Sequence, residues 1–525
     1  MNRKFLLSAT MLLAFSGAAF AQSGAKKYAD NINAPLLKQH LSILASDAYE
    51  GRETGQKGSL MAADYISAYF KKLGLQAPVD GSYFQNVPLV ERSIGEAKIA
   101  VNDQAFHFGD DFLMIGPGAT NPLSLKESQF LFVGYGINSP KWNDLEGIDI
   151  KDKVVLILSG EPMTQDGKSM VTGEQGYSDY TLVARKKLRE LQAMQPKAIL
   201  TVYPQFRSSM SKYSGQLKAK SIDFPQKAEG KDIPVVFVSE ELANVLLKST
   251  GKSLADLTGQ MLSTGKPQSS SVNQAFELEF KVNETPVKAM NVLGYLPGTD
   301  LKDELLVISS HYDHIGIVNG VINNGADDDG SGTTSVLAMA KAFTDAQKSG
   351  KKPRRSILFL TFTGEEKGLL GSQWYSENPV FPMNSTITDL NIDMVGRIDD
   401  AHLADTNYIY LIGSDKLSTD LHKISEDANK NSVNLKLDYK YNDPKDPNRF
   451  YYRSDHYNFA KHGVPVIFYF NGVHADYHQP GDDVEKIRFE LMAKRVQLVF
   501  NTAWDLANRE KRPVVNVKND FPTSR

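Results

Sequence analysis

From Ala289 onward the chain alternates apolar runs of strand length with polar loops and helical patterns. Glu304–Ser310, Ser356–Phe362, Leu390–Ile392, Tyr408–Ile412 and Val464–Phe470 are the apolar runs, and Thr333–Ala346 has helical periodicity between two of them. Near-continuous apolar strands must be covered on both faces, so this pattern predicts the α/β class, with a sheet flanked by helices. In such sheets ligands bind beyond the carboxyl ends of the strands, which makes the residues just after each run the first candidates for chemistry.

Those residues are chemically uniform. His311-Tyr-Asp-His314 follows the first run and Gly325-Ala-Asp-Asp-Asp-Gly-Ser-Gly332 the loop after it. Glu365-Glu366 follows the second run, Asp393 the third, and Tyr477-His478 the last. Singly, a Glu-Glu pair is ordinarily a solvated face and a histidine near a strand is ordinarily structural. Jointly, two histidines and three acids converging at strand ends suit a pair of divalent ions with one bridging carboxylate. The chain has no cysteine, so any transition-metal site must use nitrogen and oxygen, and zinc is the first expectation. A metal-binding imidazole needs its other nitrogen held. Asp313, two residues beyond His311 on the same side of an extended segment, is placed to supply a carboxylate. Of the adjacent Glu365 and Glu366, one can bind metal while its neighbour serves as general base.

Composition narrows the alternatives. A net charge of −3 gives no positive field for nucleic acid, so no nucleic-acid partner is expected. Arg3 and Lys4, the apolar run Phe5–Phe15 and Ala19-Phe20-Ala21 read as a signal peptide over residues 1–21, with Gln22 as the mature N-terminus. No later segment reaches the ~18 apolar residues of a membrane helix, so an exported protein, periplasmic or secreted, with no stable membrane insertion is expected. At ~150 residues per domain, 525 residues suggest two to four domains.

Residues 22–122 read as the N-terminal part of a larger domain whose main part is 283–525. Within the first part, Leu60, Ala63, Ile66, Ala68 and Phe70 mark a helix ending at Gly74. Residues 123–282 read as an insert. There short β runs, Phe130–Val133, Val154–Leu158, Ala198–Val202 and Val235–Val238, alternate with polar helices. Ser263–Asn273 reads as its closing linker.

The ordered motifs His311-x-Asp313, Gly325–Gly332, Glu365-Glu366, Asn391-Ile-Asp-Met394, Ser454-Asp-His456 and Tyr477-His478 resemble those of the co-catalytic dizinc aminopeptidases and their glutamate carboxypeptidase relatives, across about 289–509. The resemblance implies the zinc exopeptidase fold, phosphorylase/hydrolase-like, with a mixed sheet. It implies two zinc ions per chain, His311 and Asp393 on one, Glu366 and His478 on the other, and a bridging Asp328 followed by a cis bond. Glu365 is implied as general base and Tyr477 as the oxyanion donor, with Tyr451 as the other tyrosine used by relatives. Val133-Gly-Tyr-Gly136, Leu145–Asp149 and Lys151–Leu156 resemble a protease-associated domain, making the insert a smaller β-rich α/β unit.

The expected function is a zinc-dependent aminopeptidase acting on peptides. A carboxypeptidase of the same family is the rival, a one-zinc glutaminyl cyclase type is a further relative, and an inactive peptide-binding member is the non-enzyme alternative. Other motifs fail on detail. An EF-hand register ending at Gly330 would need Gly325 and Val336 as ligands, and the phosphate-loop echo at Gly251-Lys-Ser253 has Leu246 where glycine is required. Gly134-Tyr-Gly136 has Ser139 in the third glycine position of a dinucleotide fingerprint. Ser331 is expected to cap a helix rather than to act as a nucleophile. His314, His462 and His474 are expected to be structural, His456 to stand near the pocket, and one ring of Phe450–Tyr452 to line it.

Overall fold

The computed structural model describes residues 25–114, 122–183, 185–210, 218–225 and 233–518. Residues 1–21, expected from the sequence to be a signal peptide, lie outside them. The chain divides into two compact units, one built from residues up to Leu89 together with Val287 onward, the other Val90–Pro286.

The first unit is built on eight strands: β1 (Phe84–Asn86), β2 (Met290–Leu296), β3 (Leu301–His311), β4 (Arg355–Phe362), β5 (Thr386–Ile392), β6 (Tyr408–Ile412), β7 (Lys436–Asp438) and β8 (Val466–Phe470). They form one mixed sheet in the order β1-β2-β4-β3-β5-β8-β6-β7. The central four, β4, β3, β5 and β8, run parallel, so their carboxyl ends share one edge. Among the described residues, the helices that pack on this sheet include α1 (Ala34–Leu44), α2 (Lys57–Leu73), α3 (Gly332–Lys348), α4 (Leu370–Glu377), α5 (Thr419–Lys430), α6 (His456–Lys461) and α7 (Phe489–Asn508).

Side-chain alternation explains the two layers. Leu306 and Ile308 of β3 enter one core with Leu41 of α1, Phe70 of α2 and Phe343 of α3. Their neighbours Leu305 and Val307 enter the opposite core with Leu369, Tyr375 of α4 and Phe459 of α6. Helix α2 corrects one expectation. Its buried stripe is Ala62, Ala63, Ile66, Phe70 and Leu73, whereas Ala68 faces solvent, two residues off the 3-4 spacing. It ends as expected, with Gly74 in the left-handed conformation.

The second unit holds a six-stranded sheet in the order Ser269–Val272, Phe130–Val133, Val154–Leu158, Ala198–Val202, Val235–Val238 and Phe112–Met114, and a second sheet built on Leu89–Val101 and Phe276–Val287. Two boundaries differ from the sequence reading. Residues 90–114 pair into this unit's sheets rather than continuing the first unit. The stretch 263–273 is not a linker, because Ser269–Val272 is a strand hydrogen-bonded antiparallel to Phe130–Val133. Its exposed serines mark an edge position, which polar sequence alone does not distinguish from a loop.

Candidate metal centre

Strand register begins the site. Ser309 of β3 pairs with Asn391 of β5, so His311 and Asp393, each two residues farther on, stand side by side beyond the sheet. On the other flank His311 pairs with Phe362 of β4, placing Glu365 and Glu366 just past that strand end. His311 Nε2 then lies 3.7 Å from Asp393 Oδ2, 3.9 Å from Glu365 Oε2 and 3.5 Å from Asp328 Oδ1. His478 Nε2 lies 3.0 Å from Asp328 Oδ2 and 3.1 Å from Glu366 Oε2. The two oxygens of Asp328 therefore face two different groups of donors, the geometry required of a bridging carboxylate.

The turn Ala326–Ser331 carries three consecutive aspartates, with a cis bond between Asp328 and Asp329. Each aspartate has a separate task. Asp327 accepts the Gly396 N–H (2.6 Å) and sits 3.1 Å from His474 Nε2. Asp329 accepts N–H groups from Gly332 (2.8 Å), Met394 (3.2 Å) and His311 (3.2 Å). Asp328 is the one of the three that is turned toward both His311 and His478. Its backbone is anchored by Asp482, whose carboxylate accepts the amides of Asp327 (2.9 Å) and Asp328 (3.1 Å).

Ser331 does not cap α3 as expected. Its hydroxyl donates to Asp327 O and accepts from Val395 N, while the Asp329 carboxylate takes the helix's first amide.

Asp313 also differs in detail. His311 Nδ1 is 3.1 Å from the Asp313 carbonyl oxygen, whereas the Asp313 carboxylate is 3.8 Å away. That carboxylate instead accepts from Thr54 Oγ1 (2.8 Å) and the Glu365 amide (3.2 Å), tying the β3 loop to the Glu365-Glu366 loop.

His314 is the residue that sequence reasoning set aside. Its Nδ1 is 2.8 Å from Glu366 Oε1 and 3.7 Å from Asp328 Oδ2, so it belongs to the second group of donors. The signal was its place three residues after His311. What hid it is that the loop's path is set by pairing with a distant segment, His314 N donating to Arg52 O. Donor atoms of His311, Asp329 and Asp393, and of His314, Asp328 and Glu366, each converge within 4.8 Å. The three amides on Asp329 make it a less available ligand than Asp328.

His462 donates from Nδ1 to the Asn458 carbonyl and stands apart from both groups. His456 is buried and stacks on Phe468, its ring held neutral because burial pushes its pKa down to about 3. Tyr451 is core, and Phe450 is the ring of that tract that reaches the pocket.

Electrostatics show a site with excess acid. Burial, reinforced by Glu366, holds the Glu365 carboxyl well above its ordinary range despite the opposing pull of His311. Burial and then Glu366 also raise Asp328. Burial opposes protonation of His478, but contact with Asp328 and Glu366 outweighs it and lifts the imidazole to about 10. Tyr477 stacks on His478 with ring centroids 4.0 Å apart, and burial followed by the charges of Asp328 and Glu366 raises its phenol. His311 Nε2 is buried without a hydrogen-bond partner, facing three carboxylates. A nitrogen-oxygen donor set of this kind, with an unpartnered imidazole nitrogen at its centre, fits zinc.

Residues 291–503 match the model of peptidase family M28. These residues form an M28 peptidase domain. The chain is 24% identical over 463 residues to a probable glutamate carboxypeptidase AMP1 of Arabidopsis thaliana, covering 82% of this chain and 61% of that protein. It is 29% identical over 228 residues to a probable leucine aminopeptidase of Arthroderma benhamiae, covering 41% and 57%. The chain thus spans less than two thirds of the length of these relatives. In structure it is similar to an aminopeptidase from Aneurinibacillus sp. strain AM-1, at a TM-score of 0.50 and 16% identity over 94% of this chain and 98% of that one, a likeness of fold. All eight site residues read from the sequence lie within the M28 match, as does His314, while Thr54 and Arg52 lie outside it. Among the described residues no helix is long and apolar enough to cross a membrane.

Proposed function

We propose that the protein is a two-zinc exopeptidase that removes residues from the amino end of peptides. The observation that carries this reading is the division of Asp328's two oxygens between two donor groups, with Glu365 beside them. His311, Asp393 and Asp328 would hold one ion, and Asp328, Glu366 and His478 the other, with His314 at hydrogen-bond distance from Glu366. Bound zinc supplies Lewis-acid polarisation of a carbonyl and acidifies water.

Glu365, which does not share Glu366's contacts with His314 and His478, takes the proton of the attacking water and returns it to the leaving amine. Its buried, acid-rich surroundings make it a strong base for that transfer. Tyr477 is placed to donate to the developing oxyanion. The adjoining pocket is lined by Met394, Phe450, Phe468, Phe470 and Val473, which suits an apolar side chain next to the scissile bond.

Arg453 also lines this pocket, its guanidinium 3.4 Å from the Tyr477 hydroxyl. A cation there favours the second reading, a carboxypeptidase that captures a terminal carboxylate. Peptides blocked at one end separate the two. Under the first reading N-acetylation abolishes hydrolysis and C-amidation does not, and the reverse pattern would replace it. The second unit, on its Val133–Gly136 and Lys151–Leu156 motifs, is proposed as a protease-associated-like domain.

A further inference from the structure

Arg52 lies outside the M28 match, in the turn-rich segment Glu50-Gly-Arg52, yet it is fully buried beneath the metal centre. Its guanidinium makes four hydrogen bonds. Nε donates to Tyr312 O (2.8 Å), Nη1 to Leu44 O (2.8 Å) and Asn324 O (2.7 Å), and Nη2 to Gly325 O (2.8 Å). None of the four acceptors is a carboxylate. Tyr312 lies between His311 and Asp313, and Asn324 and Gly325 lead into the turn that carries Asp328. One planar group therefore bonds the loop after β3 and the aspartate turn together, and ties both to the end of α1. The guanidinium interacts electrostatically with Asp329, Asp328, Asp482 and Asp313, so it also places a fixed positive charge behind the acids.

The backbone is built to deliver this side chain. Glu50, Gly51 and Arg52 have φ of 50°, 65° and 51°. A Cβ at Gly51 would lie 2.3 Å from Asn323 O and 2.9 Å from Gly316 Cα, so only glycine admits the close approach. That approach lets Gly316 N donate to Gly51 O and His314 N to Arg52 O, so the same segment also sets the path of His314.

We propose that Arg52 is a positioning residue for the metal centre: it holds the His311 loop and the Asp328 turn at ligand separation in the metal-free protein. The inference rests on the two-metal reading above. A lysine cannot replace it, since an ammonium has three tetrahedral donors and cannot span four carbonyls lying around a planar fork.

The test compares Arg52→Lys with Arg355→Lys. Arg355 is equally buried and donates to the carbonyls of Leu506, Arg509 and Glu510, but sits at the start of β4, away from the carboxyl edge. Both proteins and the wild type are stripped of metal and titrated with zinc against a chromophoric chelator, and cobalt(II) spectra are recorded. Arg52→Lys is expected to weaken zinc binding on the order of ten- to a hundredfold and to alter the cobalt spectrum, while Arg355→Lys lowers only thermal stability. Wild-type affinity and spectrum in Arg52→Lys would overturn the inference and leave the two-metal reading intact. A wild type that binds no zinc would overturn both.

Amide exchange on the wild type covers the case in which Arg52→Lys does not fold. The amides of 312–314 and 326–330 are expected to stay protected after metal removal. Their becoming fast would mean that metal, not Arg52, holds the loops.

Discussion

Replacing Glu365 by glutamine separates catalysis from metal binding. The substitution keeps the shape of the side chain and one oxygen but removes its capacity to accept a proton. Glu365 Oε2 lies 3.9 Å from His311 Nε2, and the side chain is 11% exposed, so bulk water is a poor substitute for it. Loss of a positioned general base costs ~10²–10⁴ in turnover, or about 3–5 kcal/mol in the barrier. Zinc content should remain two per chain, because the contacts to His314 and His478 belong to Glu366. The assay is kcat on a short peptide with a free amino terminus, alongside elemental analysis of the same preparation. Unchanged turnover with zinc intact would refute the general-base role. Loss of zinc together with turnover would show that Glu365 is itself a ligand.

Other expectations follow from the same geometry. His314→Phe strips Glu366 Oε1 of its 2.8 Å partner and should weaken one of the two zinc sites by ~10–100-fold in competition titration, sparing the other. Chelation should lower the unfolding midpoint of the M28 domain in calorimetry, since free zinc at ~1,000 times its Kd adds about 4 kcal/mol to a protein that binds it only when folded. In the second unit, burial lifts the carboxyl of Asp144 to about 6 from an ordinary 3.8, although it accepts the amides of Tyr135 and Ile137. The folded state therefore holds this proton more tightly than the unfolded chain. Its contribution is complete below pH ~4 and is lost, by about 3 kcal/mol, as pH rises through 6. Asp144→Asn should flatten that decline in urea unfolding measured from pH 4 to 7, and an unaltered slope would remove Asp144 as its source.

Much of this was legible without coordinates, for a definite reason. Strands covered on both faces must be apolar throughout, so Ser356–Phe362 and Tyr408–Ile412 are visible as runs, and parallel strands bring whatever follows them to one edge. The position of His311, Glu365, Glu366, Asp393 and His478 in the chain order therefore already implied a common site.

Other features depended on contacts between distant segments, which local sequence does not record. Which of the three aspartates turns toward both His311 and His478 is decided by the amides that capture Asp327 and Asp329, and by Asp482 holding the backbone of Asp328. The entry of His314 into the centre follows from its loop pairing with Arg52. Arg52 itself looked like turn chemistry 260 residues away from the carbonyl of Tyr312. The serine-rich stretch before Asn273 became a strand only because Phe130–Val133 offered it an edge. Burial patterns are written along a chain, but hydrogen-bond partners across hundreds of residues are chosen only when the folded backbone brings them into contact.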